Sequence, residues 1–148
     1  MSAETPTPKT NAPSILLAED SEDDAFFFQR ALKKSSVVCA FIHAGNGKIA
    51  IEALQKANPL PILIFLDLKM PVMSGFDVLE WLKASALEAK PRVVILSGSN
   101  DQADRERALS LGASDYLVKP IVADELRRRI FDEVDRRQRG PIQNGEAP

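Results

Sequence analysis

Acidic side chains come directly after two apolar runs of the sequence. Asp67 follows the run Ile62–Leu66, and Glu19 and Asp20 follow a second run, Ile15–Ala18. Such runs are typical of parallel strands buried on both faces, and the carboxyl ends of those strands meet at one edge of the sheet. Because three carboxylates repel one another unless a cation joins them, the pattern predicts a divalent-metal site.

Two other polar side chains occupy the same kind of position. Ser97 follows the apolar residues 93–96, and Lys119 follows Tyr116–Val118. An ammonium is a compact charge suited to a phosphate oxygen, and a hydroxyl can donate a hydrogen bond to one. Carboxylates, a hydroxyl and a lysine at four strand ends together predict a site that accepts a phosphoryl group.

The chain alternates apolar runs with amphipathic segments of helical length, which predicts βαβ units and a parallel sheet. The predicted strands are Ser14–Ala18, Val37–His43, Ile62–Leu66, Arg92–Ser97 and Asp115–Val118. The predicted helices are Asp23–Lys34, Asn46–Ala57, Gly75–Ala86, Asp101–Leu111 and Val122–Arg139. Asn46 is expected to cap the second helix, Ser99 or Asn100 to cap the fourth, and Gly112 to close the fourth in a left-handed conformation.

The last predicted helix has a core-facing stripe and a solvated face. Leu126, Ile130 and Val134 recur every four residues and form the stripe. The acids and arginines between them, including Glu133, are expected on the solvated face.

The composition is that of one domain. The chain has 148 residues, 45% of them hydrophobic, and its net charge of −2 gives no general attraction to nucleic acid or to an anionic membrane. No apolar run approaches the roughly 18 residues of a membrane span. The single cysteine, Cys39, is expected to be a small buried residue. We expect a cytoplasmic protein with one domain over residues 14–139, between mobile segments at residues 1–13 and 140–148.

One set of residues matches a known family in order and spacing. The set is Glu19 and Asp20, Asp67 with Met70, Pro71 and Gly75, Ser97, Tyr116, and Lys119 with Pro120. On these residues the chain resembles the receiver domain of two-component response regulators, over about Ser14 to Arg139. The resemblance implies a flavodoxin-like α/β fold, a doubly wound parallel sheet of five strands in the order 2-1-3-4-5 with five helices. Around Asp20 and Asp67 the sequence is most similar to stand-alone regulators that serve phytochrome-like and other sensor histidine kinases.

The resemblance also implies a role for each residue of the site. Asp67 is the implied phosphoacceptor, whose carboxylate attacks a phosphoryl group carried by a histidine of the kinase. Lys119 and Ser97 are implied to contact the phosphoryl oxygens. The implied cofactor is Mg²⁺, which Asp20 and Asp67 ligate directly, Glu19 binds through a water, and Lys69 ligates through its backbone carbonyl.

The resemblance further implies a conformational switch. Ser97, which replaces the more common threonine, moves toward the phosphoryl group while Tyr116 turns inward. An ordinary buried aromatic residue is the alternative interpretation of Tyr116. The peptide bond between Lys119 and Pro120 is implied to be cis.

Three consecutive phenylalanines, Phe26, Phe27 and Phe28, span about 200° of a helix, which is wider than one core-facing stripe. At least one of them must therefore lie at the surface. Matching this helix to the family places Phe27 and Phe28 inward and leaves Phe26 near the surface.

Three classes of function can be compared. We expect a phosphorylation-controlled binding module, a single-domain regulator rather than an enzyme, which signals to a target protein or to the next histidine carrier of a relay. A non-phosphorylated scaffold or dimerisation module would require loss of a site residue, and none is missing. A haloacid dehalogenase-type hydrolase needs a second aspartate two residues after the nucleophile, where this chain has Lys69.

The expected partners are proteins. They are a sensor histidine kinase, of the phytochrome-like kind or another, and a downstream target or histidine phosphotransfer protein. Neither nucleic acid nor a membrane is expected as a partner. Acids alternate with Arg105 and Arg107 on the fourth helix, and Phe131 on the fifth offers an apolar centre. A homodimer through this face is therefore an open alternative to a monomer.

Overall fold

The computed structural model describes residues 12–139 as alternating strands and helices. The strands are β1 (Ser14–Ala18), β2 (Ala40–Ala44), β3 (Leu63–Leu66), β4 (Arg92–Ser97) and β5 (Asp115–Val118). The helices are α1 (Glu22–Ser35), α2 (Gly47–Lys56), α3 (Gly75–Ala84), α4 (Gln102–Ser110) and α5 (Ala123–Arg139). The expectations for residues 1–13 and 140–148 lie outside the described residues, apart from Ala12 and Pro13. Within residues 12–139, no helix is long and apolar enough to cross a membrane.

All five strands are parallel and lie in the order β2-β1-β3-β4-β5, which confirms the predicted fold class. On one face, Leu54 of α2, Val78 of α3 and Ala108 of α4 are buried in a common core. On the other face, Phe28 of α1 and Leu126 of α5 are buried in a second core. The protein therefore has three layers, with the sheet between two layers of helices.

Strand β1 explains why the functional residues follow apolar runs. Ile15 and Leu17 join the core beneath α1 and α5, whereas Leu16 and Ala18 join the opposite core. Because successive side chains of a strand point to opposite faces, a strand covered on both faces is a continuous apolar run. Glu19 is the first residue after β1, at the edge where the parallel strands end.

The start of β2 was predicted wrongly. The strand begins at Ala40 and not at Val37, because its neighbour β1 begins at Ser14, which lies opposite Ala40. Val37 instead donates its backbone N–H to the Ser35 hydroxyl at 3.2 Å, and the side chain of Val38 is 80% exposed. The missing partner strand, and not the β propensity of the valines, sets this boundary.

The placement of Phe27 was also wrong. Phe28 is buried, but Phe27 is 54% exposed and Phe26 is 58% exposed. The buried side of α1 is defined by Ala25, Phe28 and Ala31, which recur every three residues. Because Phe27 is turned by about 100° from Phe28, it falls outside this stripe.

Helix ends follow the local chemistry, with one correction. The Asn46 side chain accepts from the backbone N–H of Ile49 and caps α2, as predicted. Gly112, with φ of 108°, has the left-handed conformation predicted after α4. The N-cap of α4, however, is Asp101 and not Ser99 or Asn100. Its carboxylate accepts two backbone N–H groups of the first turn, and a negative charge is stabilised at that end of a helix.

Glu133 is buried, contrary to the prediction that it lies on the solvated face of α5. Its carboxylate accepts from Nε of Arg92 at 2.8 Å, from Nε of Arg137 at 2.7 Å and from Arg136 at 3.0 Å. Burial alone would raise the pKa of Glu133, but the hydrogen bonds from Arg137 and Arg136 and the charge of Arg92 lower it below its ordinary value. The carboxylate thus joins α5 to the first residue of β4.

We expect Glu133→Gln to lower the free energy of unfolding at pH 7 by about 1–3 kcal/mol, because three partly exposed guanidinium groups lose their shared anion. A lowered folded-state pKa means that this contribution is present above the ordinary value of 4.5 and is lost as the pH falls toward the folded-state pKa. Urea unfolding of both proteins should therefore show a smaller difference at pH 4 than at pH 7.

The matched control is Asp132→Asn, because Asp132 is exposed and forms no ion pair with any residue of the described range 12–139. It should change the unfolding free energy by less than about 0.5 kcal/mol. Equal losses in the two variants would contradict a specific role for Glu133.

Helix α3 begins against the chain that follows β3. A Cβ atom on Gly75 would lie 2.4 Å from the carbonyl oxygen of Asp67 and 2.8 Å from Cα of Leu68. Alanine normally stabilises a helix relative to glycine, yet Gly75→Ala is expected to cost about 1–3 kcal/mol, because backbone must move to admit the methyl group. Gly45→Ala is the control, since a Cβ there meets nothing within 4 Å. Urea unfolding in which Gly75→Ala costs no more than Gly45→Ala would refute this close packing.

Candidate phosphoryl-acceptor and metal site

The predicted site residues lie together at the carboxyl edge of the sheet. The backbone N–H of Asp67 donates to the carbonyl of Ala18 at 3.0 Å, and that of Lys119 donates to the carbonyl of Ser97 at 2.8 Å. These bonds extend the ladder of parallel strands by one residue. They fix the backbone from which each functional side chain projects.

Three carboxylates meet at this edge. Oxygen atoms of Glu19, Asp20 and Asp67 all lie within 4.8 Å of one another. Glu19 and Asp67 are buried, with 2% and 7% of their surface exposed, whereas Asp20 is exposed. A hard cation that prefers carboxylate oxygens and keeps several waters fits this donor set, which is the chemistry of Mg²⁺.

Lys119 supplies a positive charge in the same cluster. Its Nζ lies 2.7 Å from a Glu19 oxygen, 2.7 Å from an Asp24 oxygen and 3.5 Å from an Asp67 oxygen. The contact with Asp24 was not predicted from the sequence. The position of Asp24 in the sequence could have indicated this contact. Asp24 lies in the first turn of α1, which begins shortly after Glu19 and Asp20 and must therefore lie beside them.

Burial and neighbouring charges both shift the pKa values of Glu19 and Lys119. Burial, the largest effect, and the charge of Asp67 raise the pKa of Glu19 to about 7, although hydrogen bonds from Lys119 and from the Ser21 backbone lower it. Burial would lower the pKa of Lys119, but its hydrogen bonds to Asp24 and Glu19 and the charge of Asp67 raise it above the ordinary value. Lys119 is therefore a permanent cation, and the carboxylates around it outnumber it.

Ser97 and Tyr116 are linked through one residue. Ser97 is 3% exposed, and its hydroxyl accepts from the backbone N–H of Ser99 at 3.1 Å. Tyr116 is 2% exposed, and its hydroxyl donates to the backbone carbonyl of Ser99 at 2.8 Å. The guanidinium of Arg105 on α4 lies 5.5 Å from the centre of the tyrosine ring. Ser97 and Tyr116 therefore share Ser99 as a hydrogen-bond partner, two residues before the N-cap of α4.

The cis bond at Lys119 and the ring of His43 lie beside the cluster, whereas Cys39 precedes β2 at the other end of the sheet. The Lys119–Pro120 peptide bond is cis. The His43 ring nitrogen Nε2 lies 2.8 Å from the backbone carbonyl oxygen of Glu19, so it holds the chain beside the acidic pair. Cys39 is only partly buried, and burial raises the pKa of its thiol. The side chain of Lys69 is exposed on the segment between β3 and α3.

Comparison with known proteins gives concordant matches. The family model of the response regulator receiver domain matches residues 15–131. A "Probable cyclic di-GMP phosphodiesterase" of Vibrio cholerae is 31% identical over 126 residues, 84% of this chain but 27% of that protein. The "Cell cycle response regulator CtrA" of Brucella ovis is 36% identical over 130 residues, 88% of this chain and 53% of that protein. This chain therefore spans about a quarter and about half of these two relatives.

A solved structure has the same architecture. The "bacteriophytochrome response regulator AtBRR" has a TM-score of 0.72 and 28% sequence identity, covering 84% of this chain and 94% of that chain. The strand order, the cluster of carboxylates with a lysine and the match over residues 15–131 agree with one another. The chain belongs to the family of response regulator receiver domains.

Proposed function

We propose that this protein accepts a phosphoryl group on Asp67 from a sensor histidine kinase and signals through phosphorylation-dependent protein binding. Members of the family act in two-component signalling, typically with phosphorylation on aspartate and Mg²⁺ binding. The observation that supports this proposal is the set of charged side chains around Asp67. Its carboxylate lies within 4.8 Å of those of Glu19 and Asp20 and 3.5 Å from the ammonium of Lys119.

The chemistry follows from these charges. A carboxylate oxygen of Asp67 attacks the phosphorus of a phosphohistidine, an O–P bond forms, and the N–P bond breaks to release the imidazole of the kinase. The reaction needs positioning and neutralisation of the phosphoryl oxygens more than covalent help from the protein. Lys119 provides a fixed positive charge, and the Ser97 hydroxyl can donate a hydrogen bond to one of these oxygens.

The acidic residues are proposed to hold Mg²⁺. Asp20 and Asp67 would bind it directly, Glu19 through a water, and Lys69 through its backbone carbonyl. The bound ion would supply positive charge to the phosphoryl oxygens. The pKa of about 7 at Glu19 describes the cluster without a cation, and a cation favours the ionised carboxylate.

The proposed output is a change of surface around α4, β5 and α5. Ser97 and Tyr116 are proposed to act as the switch, and their shared partner Ser99 lies just before α4. The downstream partner would be a target protein or a histidine phosphotransfer protein in a relay, in the cytoplasm. The likeness to AtBRR supports a phytochrome-like kinase. Phe131, which is 49% exposed on α5, supports this face as a dimer contact.

The phosphoacceptor is tested with acetyl phosphate and Mg²⁺. Intact-protein mass should increase by one phosphate in the parent protein, and Asp67→Asn should remove this increase, because no other described carboxylate shares the contacts with Glu19, Asp20 and Lys119. Asp23→Asn, an exposed acidic residue of α1, is the control and should be labelled as the parent is. Labelling of Asp67→Asn to the parent extent would overturn the assignment.

The metal ligands are tested by Mg²⁺ titration. Asp20→Ala should abolish both Mg²⁺ binding and phosphorylation, because it removes a proposed direct ligand. Glu19→Gln should only weaken them, by roughly 10–100-fold in affinity, because Glu19 is proposed to act one water further out. If both variants bind Mg²⁺ as the parent does, the acidic pair has no role in metal binding.

A further inference from the structure

We propose that Asp24 is a positioning residue that draws Lys119 away from Asp67 and thereby opposes phosphorylation. The inference rests on the proposed function, because it concerns how readily the same site accepts a phosphoryl group. The carboxylate of Asp24 is absent from the group of acids that meets at the metal site, yet it takes one of the shortest contacts of the lysine.

The distances define the competition for Lys119. Its Nζ lies 2.7 Å from Asp24 and 2.7 Å from Glu19, which are charge-assisted hydrogen-bond distances. The separation from Asp67 is 3.5 Å, which is too long for such a bond. An ammonium has three donors, and two of them are directed at carboxylates other than the phosphoacceptor.

Asp24 is held at this position by the start of α1. Its backbone N–H donates to the hydroxyl of Ser21, the N-cap, at 3.2 Å. The backbone N–H of Ser21 in turn donates to the carboxylate of Glu19 at 3.1 Å. Asp24 and Glu19 therefore belong to one hydrogen-bonded segment, and both carboxylates contact Lys119.

The contact with Asp24 can open without disturbing the core. The side chain of Asp24 is 39% exposed, against 18% for Lys119. Both line a small cavity of about 40 Å³ between α1 and the chain after β5, together with Phe27, Pro120 and Ile121. A phosphoryl group on Asp67 presents new negative oxygens to the lysine, and movement of the ammonium toward them weakens its contacts with Glu19 and Asp24.

Glu19 and Asp24 differ in what could replace their contact with Lys119 when the lysine moves. Glu19 belongs to the acidic group that fits a cation, so a bound cation would give it a second source of positive charge. Asp24 lies outside that group and has only Lys119 as an ion-pair partner among the described residues. The contact with Asp24 stabilises Lys119 in its position before phosphorylation. The same free energy must be supplied when Lys119 leaves this contact to bind the phosphoryl group.

The test compares Asp24→Asn with Asp23→Asn. The two variants remove one negative charge from adjacent positions in the first turn of α1, and Asp23 is exposed and forms no ion pair with a described residue. With acetyl phosphate and Mg²⁺, followed by intact-protein mass, Asp24→Asn should be phosphorylated about two- to fivefold faster than Asp23→Asn, the range expected for a partly exposed ion pair. Asp24→Glu, which keeps the charge, should remain within about twofold of the parent.

A second readout follows the lysine without any phosphorylation. The NMR chemical shift of Lys119 Nζ should change in Asp24→Asn and stay at the parent value in Asp23→Asn. A rate for Asp24→Asn equal to or below that of Asp23→Asn, or an unchanged Nζ shift, would overturn the role of Asp24. Failure to label the parent at all would instead overturn the proposed function, so the two failures are distinguishable.

Discussion

The site depends on an unequal balance of charge at one edge of the sheet. Carboxylates of Glu19, Asp24 and Asp67 surround the ammonium of Lys119, and Asp20 adds a further negative charge beside them. Such a cluster is costly to bury unless cations join it. This deficit of positive charge makes the cluster chemically suited to a cation, and among residues 12–139 Lys119 is the one positive side chain that forms ion pairs with these carboxylates.

The rest of the architecture serves to hold these charges together. Parallel strands buried on both faces bring residues from distant parts of the chain to a common edge, and backbone hydrogen bonds continue one residue past the strands. At the opposite end of the sheet, Glu133 is also buried, but its arginine partners outnumber it. One buried acid is therefore satisfied within the protein, whereas the cluster around Asp67 has its charge only partly balanced.

The sequence correctly predicted the features that depend on the burial of the strands. The apolar runs located the strands, and residues that interrupt them, such as Asp67 and Lys119, came to one site. Features that depend on how one element faces another were missed. The exposure of Phe27 depends on the rotation of α1, the start of β2 depends on where β1 begins, and the burial of Glu133 depends on Arg92, which is distant in the chain. No local pattern carries that information.

The central claim is that Asp67 forms an acyl phosphate. The most direct measurement is to treat the phosphorylated protein with borohydride, which reduces an aspartyl phosphate to homoserine, and to locate the modified residue by peptide mass spectrometry. The account predicts homoserine at position 67 and at no other carboxylate of residues 12–139. Homoserine at Asp20 or Asp24, the longer alcohol 5-hydroxynorvaline at Glu19, or no reduced residue in a protein that carries phosphate would contradict it.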